Sequence, residues 1–242
     1  MRVLIDPGHA PGNANRGPTT YREYEGMWRL SNHLRDILTS AGIFAQLTRS
    51  QYQDPTLAAR GGMARGFDLF ISQHSNGFDG TVRGSECFFS VLQPENRAIA
   101  ARFSADIARL FGHNDRGAKT RMGNNNLDFF GVIRAAVAAG CPRVFLMESG
   151  FHDNPIDEAF LLQDANLRRI AEVQANIILD VLGANKPTME SPAPQPSAWA
   201  REAGEWAFVN NITDGTNPQG IPTREQMMQL LFNYHRFINS FH

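Results

Sequence analysis

Only two of the 242 residues are cysteines, Cys87 and Cys141. They form neither a CxxC pair nor a metal-finger spacing, so neither a disulfide framework nor a cysteine-held zinc module organises this chain. Both are expected to be buried thiols of a chain folded in a reducing compartment. Long apolar runs are missing too. No stretch approaches the roughly 20 apolar residues that a membrane span requires. The first residues read MRVLIDPGH, and an apolar run as short as Val3-Leu4-Ile5 is not the core of a secretory signal. The expectation is a product made in the cytoplasm, which something else must deliver if its substrate lies outside. Excess charge of one sign is also lacking. The formal net charge is −1, which leaves no electrostatic case for nucleic acid. There is no HExxH, and Gly8, Gly12 and Gly17 are not followed by the lysine and Ser/Thr of a phosphate loop. No internal repeat is visible.

What is present is an ordinary globular composition, 42% hydrophobic and 19% charged, long enough to bury a sizeable core unaided. The clearest shift in composition covers residues 184–197, ANKPTMESPAPQPS. Its prolines permit neither a helix nor a central strand and suit a semi-extended spacer. It separates residues 1–183 from a tail, 198–242.

Before the spacer, strand and helix patterns alternate. Strands are expected at Arg2–Ile5, Ile43–Thr48, Asp68–Ser72, Glu86–Val91 and Arg143–Met147. Met27, Leu30, Leu34, Ile37, Leu38 and Ala41 recur at helical spacing and stop at Gly42. Asp54-Pro55 looks like the cap and first position of a second helix. Ile99, Phe103, Ile107, Leu110 and Phe111 mark a third. Leu167, Ile170, Gln174, Ile177, Ile178 and Val181 mark a last one, closed by Gly183. Such alternation implies an α/β sandwich with a mixed, mostly parallel sheet between helices. In the tail, Trp199, Ala203, Trp206 and Ala207 suggest a short helix and Asp214-Gly215 a turn. Pro222-Thr223-Arg224-Glu225 opens a helix continued by Met227, Leu230, Leu231 and Tyr234. The tail is thus a small helical module.

Active residues of open α/β sheets gather at the carboxyl ends of strands. His9 follows the first strand, His74 the third and Glu148 a late one, while Glu23 stands just ahead of the first long helix. Two histidines and a carboxylate are a catalytic zinc set that leaves a fourth position for water. A second carboxylate, free of metal, can then move the water's proton. One histidine near a strand end is more often a packing residue; the joint placement of four groups carries the argument. Asp6 could orient His9 or cap its loop. His33 reads as a surface residue, and His113 as a member of a polar loop. His152 reads as a surface residue or a neighbour of the site, with a substrate contact as the alternative. The polar segment Gly117–Leu127 is expected to be a loop ahead of a helix start at Asp128.

Asp6-Pro7-Gly8-His9, Glu23, Leu47-Thr48-Arg49, Gln73-His74-Ser75-Asn76 and Glu148-Ser149-Gly150-Phe151 together resemble the zinc-dependent N-acetylmuramoyl-L-alanine amidases of the type 3 family, which occur as bacterial autolysins and phage endolysins. The resemblance covers residues 1–183, with Pro7 where the family usually has alanine. It implies that His9, Glu23 and His74 bind Zn2+ and that Glu148 is the catalytic carboxylate. Glu25 competes with Glu23, but Glu23 holds the ligand's place counted back from Gly42. The implied reaction hydrolyses the amide between the muramic-acid lactyl group and L-alanine of peptidoglycan. Asn76 and Arg121 are expected substrate contacts. Arg116, Lys119 and Arg121 suit stem-peptide carboxylates, though a plain solvated loop explains them equally. The tail resembles one S-layer-homology repeat of the kind carried by endolysins. That implies binding to secondary wall polymers or self-association into a homo-oligomer. A phage or prophage endolysin released by a holin-type pore is the expectation; a non-catalytic wall-binding protein, or a zinc hydrolase of another amide, is the alternative.

Overall fold

The computed structural model describes residues 1–184 and one tail helix, 224–239. Contacts divide the chain into Met1–Lys186 and Pro187–His242, a few residues beyond the boundary expected from composition. The spacer, the expected helix around Trp199 and the turn at Asp214-Gly215 lie outside the described residues.

The first unit runs β1 (Arg2–Pro7), α1 (Glu23–Ser40), β2 (Phe44–Leu47), α2 (Leu57–Gly62), β3 (Leu69–Asn76), β4 (Ser85–Phe89), α3 (Arg97–Phe111), β5 (Asp115–Lys119), α4 (Gly131–Ala138), β6 (Val144–Phe151), α5 (Pro155–Leu162) and α6 (Asp164–Leu182). The strands form one sheet in the order β2-β1-β3-β6-β4-β5. All neighbours are parallel except β4 against β6, so the sheet is mixed and mostly parallel, as expected.

Alternate strand residues feed two cores, as the two-residue pleat period requires. Val3, Ile5, Leu69, Ile71, Phe145 and Met147 pack against α1, α3 and α6. Leu4, Phe70, Val144 and Leu146 pack on the other face with Val132, Ile133 and Ala136 of α4. Being covered on both faces explains why β1, β3 and β6 read as continuous apolar runs.

Three local expectations are corrected. The second helix begins at Leu57, and Thr56 caps it by accepting from the Ala59 amide at 3.2 Å; Asp54-Pro55 precedes it. Gly117–Lys119 belongs to the edge strand β5, where solvent tolerates charged side chains, and the following helix starts at Gly131. Asp128 instead sits buried, accepting from Ser90 Oγ and the Val91 amide at 2.7 Å each. His33 is half-buried and ties α1 to α6 through Asp164 at 3.0 Å. The tail helix α7 (Arg224–Asn239) forms where Pro222-Thr223-Arg224-Glu225 places it, with Met228, Leu231 and Phe232 exposed. Among the described residues, no helix is long and apolar enough to cross a membrane.

Candidate metal centre

The carboxyl ends of β1, β3 and β6 lie side by side, with Asp6 opposite Ser72 and His74 opposite Glu148 in the strand registers. That adjacency brings the four expected residues together. They line one cavity of about 450 Å³ with Asn15, Arg16, Asn76, Phe78, His152 and Asp153.

Glu23 is the first residue of α1 and is only 1% exposed. A carboxylate in a first helical turn is favoured by the helix dipole. Its Oε1 lies 3.1 Å from His74 Nδ1 and accepts from the Ser75 amide at 3.0 Å; its Oε2 lies 3.1 Å from His9 Nε2. Glu25 is exposed and accepts from its neighbour Tyr24, so it takes no part. One ligand atom from each of His9, Glu23 and His74 lies within 4.8 Å of the others. Donors bonded at about 2.0–2.2 Å to a tetrahedral zinc stand roughly 3.4 Å apart, so the cluster fits that ion with small adjustments. Burial alone would raise the Glu23 pKa, but hydrogen bonding from His74 and His9 outweighs it and holds the carboxyl well below its ordinary range. Burial lowers the His74 pKa, against the pull of Glu23. The buried carboxylate is therefore ionised, and His74 favours the neutral form that a metal requires.

The loop carrying His9 is built for this approach. Its φ of 57° places His9 in the left-handed region, unusual for a residue with a Cβ and frequent at functional sites. At Gly8 a Cβ would stand 2.3 Å from the Gln73 carbonyl and 2.6 Å from the His74 ring, so only glycine lets the two histidines meet. Arg49 fastens the loop, donating from Nε to the Pro7 carbonyl at 3.0 Å and from a terminal nitrogen to the Gly8 carbonyl at 3.3 Å.

Asp6 neither orients His9 nor caps the loop. It is fully buried in a bidentate pair with Arg60 at 2.6 and 2.9 Å, and accepts from Thr48 and Ser72. Ser72 Oγ lies 3.1 Å from His74 Nε2, the ring nitrogen turned away from Glu23. Asp6 thus reaches the cluster through Ser72 and fixes the His74 ring.

Glu148, on β6, is 9% exposed. Its Oε2 has no hydrogen-bond partner among the described residues. Burial, followed by the nearby charges of Glu23 and Glu86, raises its pKa well above the ordinary carboxylate value. It thus brings an unpartnered carboxylate oxygen into the same cavity as the three-residue cluster, placed where a proton could be moved.

Of the expected substrate contacts, Asn76 lines the cavity and donates to Glu86 at 3.1 Å. Arg121 lies outside the lining, its guanidinium 3.5 Å over the Phe129 ring. Arg116 and Lys119 are both paired with Glu86, at 2.6 and 2.5 Å, which leaves them committed rather than open to a ligand. His152 is buried beside the cluster, 2.8 Å from the Ser75 carbonyl. Two residues not expected from the sequence support the cluster: Asn15 donates to Glu23 at 2.7 Å and lies 3.2 Å from His9 Nε2, and Glu158 accepts from Thr19 and Tyr21 and holds the far end of the same loop. Neither residue belongs to a quoted motif; both are polar groups of a loop or short helix that only folding brings near.

His113 lies in the loop between α3 and β5, as expected, but its side chain is buried between Ser85 and Asp157. Ser85 Oγ lies 2.7 Å from its Nε2, and Asp157 Oδ1 lies 3.2 Å from its Nδ1. This has the connectivity of a hydrolytic triad, but its three side chains are at most 1% exposed and no substrate can reach the serine. Its hydrogen bonds join β4, the loop after α3, and α5.

Comparison with known proteins identifies the family and the fold. The family profile described as N-acetylmuramoyl-L-alanine amidase (Amidase_3) matches residues 3–180. An uncharacterized cell wall amidase of Bacillus anthracis is 27% identical over 195 residues, covering 74% of this chain and 35% of that protein. Among solved structures, the catalytic domain of the amidase CwlV from Paenibacillus polymyxa superposes with a TM-score of 0.64 at 25% identity, covering 76% of this chain and 99% of that one. Cwp6 from Clostridium difficile superposes with a TM-score of 0.68 at 25% identity, covering 74% of this chain and 29% of that one. The chain therefore spans about a third of the length of the curated relative and less than a third of Cwp6. The profile match takes in most of the sequence and all four candidate residues, and the chain belongs to the N-acetylmuramoyl-L-alanine amidase family.

Proposed function

We propose that this chain is a zinc-dependent hydrolase of the amide joining the muramic-acid lactyl group to L-alanine in peptidoglycan. The observation that carries the reading is the open His9–Glu23–His74 cluster with an unpartnered carboxylate, Glu148, in the same cavity. Zinc bound by those three residues would supply Lewis acidity toward the amide carbonyl and lower the pKa of an attacking water. Glu148, with an unpartnered oxygen in the same cavity, would accept a proton from that water and return it to the alanine nitrogen as the C–N bond breaks. Asp6 and Ser72 hold the His74 ring, Asn15 holds Glu23, and Arg49 and Glu158 hold the two ends of the His9 loop. Asn76, fixed by Glu86, orients the substrate at the β3 end of the cavity.

The tail is read as a wall-targeting or self-associating module, and the whole as an endolysin that lyses a host from within, reaching the wall through a holin-type pore. An amidase unit joined to a separate unit with an exposed apolar helix face supports that reading. Deleting residues 187–242 should reduce sedimentation with cell walls or reduce native mass; if both are unchanged, the tail has neither role.

Digestion of purified Gram-positive peptidoglycan tests the activity. New L-alanine amino termini without new reducing sugars, lost with chelator and restored by zinc, are expected. A folded, zinc-loaded protein that releases none would overturn the reading.

A further inference from the structure

One residue lining the catalytic cavity takes no part in holding metal or moving protons. Phe78 is 76% exposed at the cavity rim, two residues beyond Asn76. A ring left in water at the edge of a polar cavity offers apolar area that a bound molecule can cover. The segment that carries it is well held. The Phe78 and Gly80 amides both donate to Asp153 Oδ2, at 2.7 and 3.0 Å, and Asn154 Nδ2 donates to the Gly80 carbonyl at 2.9 Å. Asn154 is itself the cap of α5, accepting from the Ile156 and Asp157 amides. At Gly77 a Cβ would stand 3.0 Å from His152 Nε2, so the chain there runs tightly against the site. The ring therefore stands on a post fixed by the turn that follows β6, where the backbone ordering cost has already been met by folding.

We propose that Phe78 is a positioning residue that stacks on the pyranose ring of the amino sugar bearing the lactyl group. This rests on the amidase reading of the same cavity. A pyranose presents a face of C–H groups, which an aromatic ring covers with apolar area and without hydrogen bonds. The stem peptide instead presents amides and carboxylates, and the rest of the rim offers it polar partners: Asn15, Asn76 and the exposed Arg16. The sugar and the scissile carbonyl are joined by one short ether arm. An aromatic platform at the rim of the zinc cavity thus fixes the glycan while the amide reaches inward. It also gives a physical basis for choosing lactyl amides carried on sugar over the peptide amides further down the same stem.

The test uses the full chain and two probes. Phe78→Ala and Phe78→Trp are both expected to fold, because the side chain is exposed. Binding of the peptide-free disaccharide of N-acetylglucosamine and N-acetylmuramic acid is followed by saturation-transfer NMR. Phe78→Ala should weaken it about tenfold, and Phe78→Trp should restore it. In parallel, KM for disaccharide-peptide should rise about tenfold in Phe78→Ala with kcat unchanged. KM for the lactyl-peptide left after β-elimination of the sugar should not move. Equal loss on both substrates, no loss on either, or disaccharide binding indifferent to Phe78 would each overturn the proposal. A wild-type chain that binds the disaccharide through Phe78 but cleaves nothing would sink the amidase reading and leave the platform standing.

Discussion

Two buried clusters among the described residues combine histidine with carboxylate, and they have opposite fates. Ser85–His113–Asp157 has every link of a hydrolytic triad and no access to solvent. His9–Glu23–His74 has an open cavity above it and Glu148 at its side with an oxygen left unpaired. In the first, hydrogen bonds consume the available groups: Ser85 also reaches the Ser149 carbonyl, and Asp157 also accepts from Arg83 and the Phe151 amide. In the second, polar capacity is held back from the fold. Connectivity alone therefore does not make a site; access and an unspent group do.

The comparison can be broken most forcefully at Glu148. Glu148→Gln should lower amidase turnover about a thousandfold, within the range for loss of a positioned acid–base, while bound zinc stays at the wild-type ratio. Turnover and metal content measured on the same sample check this; loss of zinc in step with activity would mean Glu148 is a ligand.

At the sealed cluster the expected loss is of stability. Asp157→Ala strands Arg83, His113 and a buried amide, and should cost about 3 kcal/mol in urea unfolding, with kcat unchanged in the folded fraction. The Asp157 pKa is lowered: burial alone would raise it, but hydrogen bonds from His113, Phe151 and Arg83 prevail. A carboxyl with a depressed folded pKa adds stability above its unfolded value of about 3.9 and loses it as pH falls. The difference between Asp157→Ala and wild type should accordingly shrink below about pH 4.

An intermediate effect is expected at the Asp6–Ser72–His74 link. Ser72→Ala removes the hydroxyl that joins Asp6 to His74, and zinc affinity by chelator competition should fall about tenfold. Unchanged affinity would show that packing alone orients the ring.

The smallest effect concerns the cost of keeping Glu148 unpaired. Its folded pKa is raised, so the folded state retains a proton that the unfolded chain releases above about pH 4.3, and metal-free stability falls as pH rises from there. Metal-free Glu148→Gln should melt higher than wild type at neutral pH and match it near pH 4. Thermal scans at the two pH values check this.

Much of the fold was legible because β1, β3 and β6 are buried on both faces and so run apolar without interruption, and because α1 and α6 keep their helical period up to Gly42 and Gly183. His9, His74 and Glu148 were legible for a related reason: each follows such a strand directly. Glu23 was separable from Glu25 only by its place in the family pattern; in the structure Glu23 is the one buried against two imidazoles. What escaped was pairing over long sequence distance. Nothing local ties Asp6 to Arg60 or His113 to Asp157, and β5 is an edge strand of charged residues with no apolar signature. Asn15 and Phe78 sit in loops whose path is set by Glu158 and Asp153, far along the chain. Arg116 and Lys119 looked available because their partner, Glu86, is hidden in what reads as a plain apolar strand.

The most direct test of the central claim is an anomalous difference map from crystals of the full chain soaked in zinc. A peak is expected about 2.0–2.2 Å from donor atoms of His9, Glu23 and His74, with Glu148 outside the inner contacts and nothing at His113 and Asp157. No peak at the first cluster, or a peak at the second, would contradict that claim.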